Sequence, residues 1–179
     1  MSARAYMLSL ALLLSGGAAA CDVRDVTAQP APNTRSGELS DDERERLLAL
    51  HNRCRETATP KPTPALPALR WDEDAAAVAQ RWADGCEFEH NRKRGDYGEN
   101  IAYYTRPAID GLALLWITEA RDYLYDRDRC AYGRACGHYT QIVSRRTTAV
   151  GCAAAKCSFG RFLVCNYAPP GNLINKRPY

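Results

Sequence analysis

The chain's histidines, His51, His90 and His138, are its candidate metal ligands and proton carriers. His90 follows Cys86-Glu87-Phe88-Glu89, and His138 follows Cys136-Gly137, so each lies close to a cysteine whose bridging would brace it. Two carboxylates stand in contexts of their own. Glu99 occupies a Gly-bounded turn. Glu119 falls on the stripe Ile109, Leu112, Trp116, Glu119, Tyr123, whose helical spacing puts it on a face that should be buried, or at the edge of that face if the helix is rotated. A carboxylate buried without a partner is costly. Two imidazoles and two carboxylates are able to hold Zn²⁺, or the acids accept from the ring N–H groups and orient them. Metal binding and bracing both stay open on this reading. The separations are long and no compact His-Glu-x-x-His occurs, so spacing alone does not make these four residues a site.

No nucleophile is assigned. A Gly-x-Ser-x-Gly elbow is absent. Cys54 lies one helical turn from His51, but both fall on a packing stripe, a poor place for a catalytic dyad. His51 is therefore read as a core histidine, and Asn52 and Arg55 as making local hydrogen bonds.

The elements that must position these residues follow from capping and periodicity. Ser40-Asp41-Asp42-Glu43 is a capping box, and Leu47, Leu50, His51, Cys54 and Ala58 then recur at helical spacing until the prolines at 60, 62, 64 and 67. Asp72 caps a second, Ala-rich helix running to about Gly85. Gly98 to Tyr103 reads as a turn leading into an apolar segment. A third helix is expected from about Ala108 to Tyr123, and a short one within 130–141. Val150–Cys157 and Arg161–Ala168 read as strands of a hairpin joined by Ser158-Phe159-Gly160. Helices followed by an antiparallel hairpin indicate an α+β domain over 40–179.

A formal charge of +3 with no basic run beside aromatics argues against nucleic acid as a partner. Residues 1–20 read as a signal peptide: Arg4, an apolar core from Met7 to Leu14, then Ser15-Gly16-Gly17-Ala18-Ala19-Ala20. Export suits the eight cysteines. Cys21 directly after the small residues resembles a bacterial lipobox with Ala18 in place of the usual Leu. The expectation is a lipidated Cys21, membrane anchoring through that lipid, and a flexible tether over 21–39, which is rich in Pro, Ser, Thr, Asn and Gly.

Four segments carry a family resemblance. They are His51-Asn52-Arg53-Cys54-Arg55, Gly98-Glu99-Asn100-Ile101, Gly137-His138-Tyr139-Thr140-Gln141-Ile142-Val143, and Phe162 through Leu173 with its Cys165-Asn166-Tyr167 core. In this order they resemble the CAP superfamily of cysteine-rich secretory proteins, antigen 5 and plant pathogenesis-related class 1 proteins. Ser144 departs from the Trp usual after the third motif. The Arg and Ala bias and the lipobox point to a bacterial member.

The resemblance implies a three-layer α-β-α sandwich with a central antiparallel sheet. It implies bridges Cys86–Cys157, Cys130–Cys136 and Cys152–Cys165, since six cysteines alone allow 15 pairings. That leaves Cys54 as a buried lone thiol if Cys21 carries lipid, or a Cys21–Cys54 bridge if it does not. It also implies a cleft tetrad of His90, Glu99, Glu119 and His138, with His90 and His138 as weak ligands for Zn²⁺ or another divalent cation. Tyr139 and Gln141 either line that cleft or pack beneath it. The function expected is a non-enzymatic extracellular binding module for a small apolar, lipid- or sterol-like ligand or an extracellular protein. The alternative is a metal-dependent hydrolase with Glu99 or Glu119 as base.

Overall fold

The computed structural model describes residues 21–23, 37–105 and 109–179. The expected signal peptide and most of the expected tether lie outside the described residues. Helix α1 spans Asp41–Thr57. Its capping box is formed in both directions, Ser40 accepting from the Glu43 amide and Glu43 from the Ser40 amide. Its buried face carries Leu47, Leu50, His51 and Cys54. The short strand β1, Arg70–Trp71, leads to α2, Glu73–Asp84, with Asp72 accepting from the Ala75 amide as its cap. Strand β2 covers Gly98–Tyr104. Helix α3, Ile109–Thr118, gives way at Glu119 to a 3-10 turn through Asp122. A small ribbon of β3 (Tyr123–Leu124) and β4 (Arg129–Cys130) precedes α4, Gly137–Ile142. The chain closes with β5, Ala149–Cys157, and β6, Gly160–Ala168.

The main sheet has the order β1-β5-β6-β2. β5, β6 and β2 pair antiparallel as expected, but β1 pairs with β5 in parallel, so the sheet is mixed. Strand alternation sorts the sheet's side chains into two layers. Val150, Cys152, Ala154, Leu163, Cys165 and Tyr167 join Leu50, Ile109, Trp116 and Ile142 in the larger core, beneath α1, α3 and α4. Ala153, Ala155, Phe162 and Val164 join Ala79 and Ala83 of α2 on the opposite face. Both faces of β5 and β6 are therefore covered, the α-β-α sandwich the sequence implied. Gly151 sets how closely α2 lies on the sheet. A Cβ there would stand 2.2 Å from Asp72 O and 2.3 Å from Ala76 N, both unyielding backbone atoms.

Four disulfides staple the layers. Cys86–Cys157 ties the loop after α2 to the end of β5, and Cys152–Cys165 joins residues in register on β5 and β6. Cys130–Cys136 closes the loop before α4. The fourth, Cys21–Cys54, corrects the expectation of a lone Cys54. With every cysteine bridged, the parity that favoured a lipidated Cys21 disappears, because its sulfur is already shared. Two ends of the expected tether are also packed: Cys21, Val23 and Leu39 are buried in the larger core.

Candidate functional site

The helix end at Glu119 places its carboxylate where three donors meet it. His138 Nδ1 lies 2.6 Å from Oε1, and the amides of His138 and Tyr139 reach Oε2 at 3.0 and 3.3 Å. Those amides open α4, so the acid serves the helix start and the imidazole together. In the second pair His90 Nδ1 lies 2.8 Å from Glu99 Oε1, which also accepts the Asn91 amide at 2.9 Å. Strand alternation turns Glu99 away from Asn100, its neighbour on β2, whose amide reaches His138 O. The four residues thus form two His–carboxylate pairs, one on the edge strand β2 and one joining the end of α3 to the start of α4. Among the described residues no set of three or more His, Cys, Asp or Glu side chains is gathered to hold a metal.

The pairs are unequal. The His90 side chain is 56% exposed over a Glu99 that is 1% exposed, whereas His138 is 31% exposed over a Glu119 that is 14% exposed. Trp116 stacks on the His138 ring, 6.0 Å between centroids with planes at 24°. Its indole N–H donates to Ile101 O. In each pair the carboxylate engages Nδ1. Among the described residues no hydrogen bond reaches either Nε2.

Residues read as packing do more than pack. His51 is fully buried between Leu47 O and the Tyr167 hydroxyl. Burial pushes its pKa down to about 4, against a partial lift from the hydrogen bond to Leu47 O, with the Arg55 charge adding to the fall. Arg55 corrects the expectation of local bonds: its guanidinium donates to Pro67 O and, across the fold, to Ile142 O, Ser144 O and Thr147 O. Burial brings its pKa down to about 10, so it stays charged at neutral pH. Tyr139 and Gln141 pack. The first is fully buried with its hydroxyl on that of Tyr179, and the second braces Gly171 N and Thr147 Oγ1. No sequence signal pointed to Asn100 as a partner of His138 or to Tyr167 as a partner of Asn100, although both lie inside the quoted motifs.

A groove of about 500 Å³ lies elsewhere, between α1 and the proline-rich connection 58–69. Its walls include Ala49, Pro62, Ala65, Leu66 and Ala68. Two polar residues lining it, Asn52 and Arg55, direct their hydrogen bonds inward, Asn52 to both the N–H and C=O of Leu69.

A disulfide-stapled α-β-α sandwich with paired His–carboxylate dyads defines an extracellular CAP-type domain, and bridged cysteines fit an oxidising compartment. The family model for the cysteine-rich secretory protein (CAP) family matches residues 48–167, and the chain belongs to that family. It is 37% identical to Peptidase inhibitor 16 of Bos taurus over 175 residues, 92% of this chain but only 38% of that protein. It is 39% identical to Pathogenesis-related protein 1C of Nicotiana tabacum over 74% of this chain and 78% of the relative. The solved structure of NaASP2 with Zn²⁺ superposes with a TM-score of 0.69 at 24% identity, over 84% of this chain and 90% of that one, a likeness of fold. These named relatives from a mammal and a plant lend no support to the expectation of a bacterial member.

Proposed function

We propose that the chain is a non-enzymatic extracellular binding module that captures a small apolar, lipid- or sterol-like ligand or a face of an extracellular protein. The observation that carries this reading is the groove beside α1. Its volume suits a small-molecule site, Ala49, Pro62, Ala65, Leu66 and Ala68 give it an apolar wall beside the charged Arg53, Glu56 and Lys61, and Asn52 and Arg55 spend their hydrogen bonds on backbone within the fold. The bovine relative, of which the chain spans about two fifths, is named a peptidase inhibitor, a role that rests on capture of a protein partner.

Two observations favour binding over turnover. All eight cysteines are bridged, which leaves no thiolate nucleophile. Glu119 accepts three hydrogen bonds, and Glu99 is shut from solvent with Oε1 shared by His90 and the Asn91 amide, although its Oε2 has no partner among the described residues. The test is native mass spectrometry of the purified secreted protein beside Ala49→Trp and Ala65→Trp variants, which fill the groove. A co-purifying ligand on the wild type that is lost from the filled variants supports the reading. Equal ligand on wild type and variants, or none on either, overturns the groove as the site.

A second reading is weak divalent-cation binding through His90 and His138. The donor chemistry fits: a carboxylate on Nδ1 is the outer-sphere support that ligating imidazoles normally have, and it leaves Nε2 for the ion. Such an ion would supply positive charge at the β2 edge.

A further inference from the structure

Three side chains and one backbone carbonyl, one group from each of the four motif segments, meet in a single buried chain of hydrogen bonds. His51 comes from α1, Asn100 from β2, Tyr167 from β6, and the backbone of His138 from α4. The hydrogen bonds there have only one consistent direction. Leu47 O, 2.6 Å from His51 Nδ1, can only accept, so Nδ1 carries the ring proton. His51 Nε2, 2.8 Å from the Tyr167 hydroxyl, must then accept from it. With its proton so committed, the Tyr167 oxygen accepts from Asn100 Nδ2 at 3.0 Å. The second hydrogen of that amide goes to His138 O at 3.1 Å. Tyr167 is fully buried, and Asn100 is 1% exposed, so water does not substitute for any member.

His138 is consequently held at four places. Glu119 takes its amide and its Nδ1, Trp116 covers its ring, and Asn100 takes its carbonyl. Trp116 also meets His51 edge-on at 6.5 Å, so the same wall backs both imidazoles. Among the described residues, the His90 ring has only its tie to Glu99, and it is more exposed. We infer that Tyr167, acting through Asn100 and fixed by His51, is a positioning residue that sets the place of the His138 backbone at the start of α4, and so of the imidazole that Glu119 and Trp116 orient, making His138 the preorganised half of the pair. The inference rests on reading His138 as a ligand-presenting imidazole.

The test is Tyr167→Phe, with Asn100→Leu as a second variant that cuts the tie to His138 while leaving Tyr167 on His51. Two readouts are taken at pH 7: ¹⁵N shifts of the His138 and His90 ring nitrogens, and Zn²⁺ affinity by calorimetry with the metal alone. Expected are His138 ring shifts moved from their wild-type values as the imidazole leaves its place, unchanged His90 shifts, and zinc affinity lower by roughly 10-fold. If Tyr167→Phe does not fold, Asn100→Leu decides. A folded variant with unaltered His138 shifts, whatever its thermal stability, overturns the inference and leaves Tyr167 a purely structural residue. A wild type that takes up no zinc would remove the metal reading alone, and the ¹⁵N comparison would still decide the positioning role.

Discussion

Arg161 of β6 grips Glu43 of α1 at both carboxylate oxygens, the Nη2 to Oε2 distance being 2.8 Å. Side-chain exposure is 7% and 0%, so the pair is buried. Arg161 also donates to Gly37 O and Glu38 O, and Glu43 to the Ser40 amide as acceptor closes the helix cap. One ion pair thus joins the cap of the first helix, the segment before it and the last strand.

Removing one partner of such a pair leaves the other charge buried, which typically costs about 3–5 kcal/mol. Glu43→Gln should lose stability of that order in urea unfolding, and Glu43→Gln with Arg161→Met should lose less than the two single changes summed. Burial alone would raise the Glu43 pKa, but Arg161 and the Ser40 amide hold it below 4.5. Its contribution is therefore present above that pH and lost as pH falls through the lowered folded value. Additive single and double changes would show the pair to be uncoupled.

His51 gives a second acid dependence in a different window. Its folded pKa of about 4 lies below the unfolded 6.5, so the unfolded chain takes up a proton first. Stability is complete above pH 6.5 and declines as pH falls toward 4, by roughly 3 kcal/mol in all. Urea unfolding at pH 7, 5.5 and 4 measures it. His51→Gln should be less stable at pH 7 but flatter across that interval; an equal slope in the variant would assign the dependence to other groups.

The Cys21–Cys54 bridge closes a loop with a sequence separation of 33. A loop of that size is worth roughly 3–4 kcal/mol in the chain-entropy account. Replacing both cysteines with Ser should lower stability by about that amount and leave the other bridges intact. Non-reducing peptide mapping should recover Cys21 and Cys54 in one fragment. A diacylated Cys21 peptide in its place would restore the anchored reading.

Local signals made some of this structure legible. The capping box and the spacing of Leu47, Leu50 and Cys54 define α1, and Ser158-Phe159-Gly160 between apolar runs defines the β5–β6 hairpin. β1 was not legible, because two residues become a strand only by pairing with Ala149 and Val150. Nor was the break at Glu119, since the apolar stripe runs on to Tyr123 while the backbone tightens so that the carboxylate meets the start of α4. The site residues could be named from motifs, but their division into two pairs depends on tertiary contacts, Glu99 of β2 meeting the loop that holds His90 and Glu119 meeting the start of α4. Cysteine parity misled for a related reason: Cys21 belongs with Cys54 through a contact that no spacing encodes.

The contacts of α1 also bear on the order in which the chain matures. Glu43 waits for Arg161, His51 for Tyr167, and Arg55 for the carbonyls of Ile142 and Ser144. The first described helix therefore receives its buried polar partners from elements much later in the chain. In a nascent chain halted before residue 161, Glu43 and His51 lack those partners, while the carbonyls that hold Arg55 are already present. Burial of that face of α1 is thus completed only once β6 is delivered.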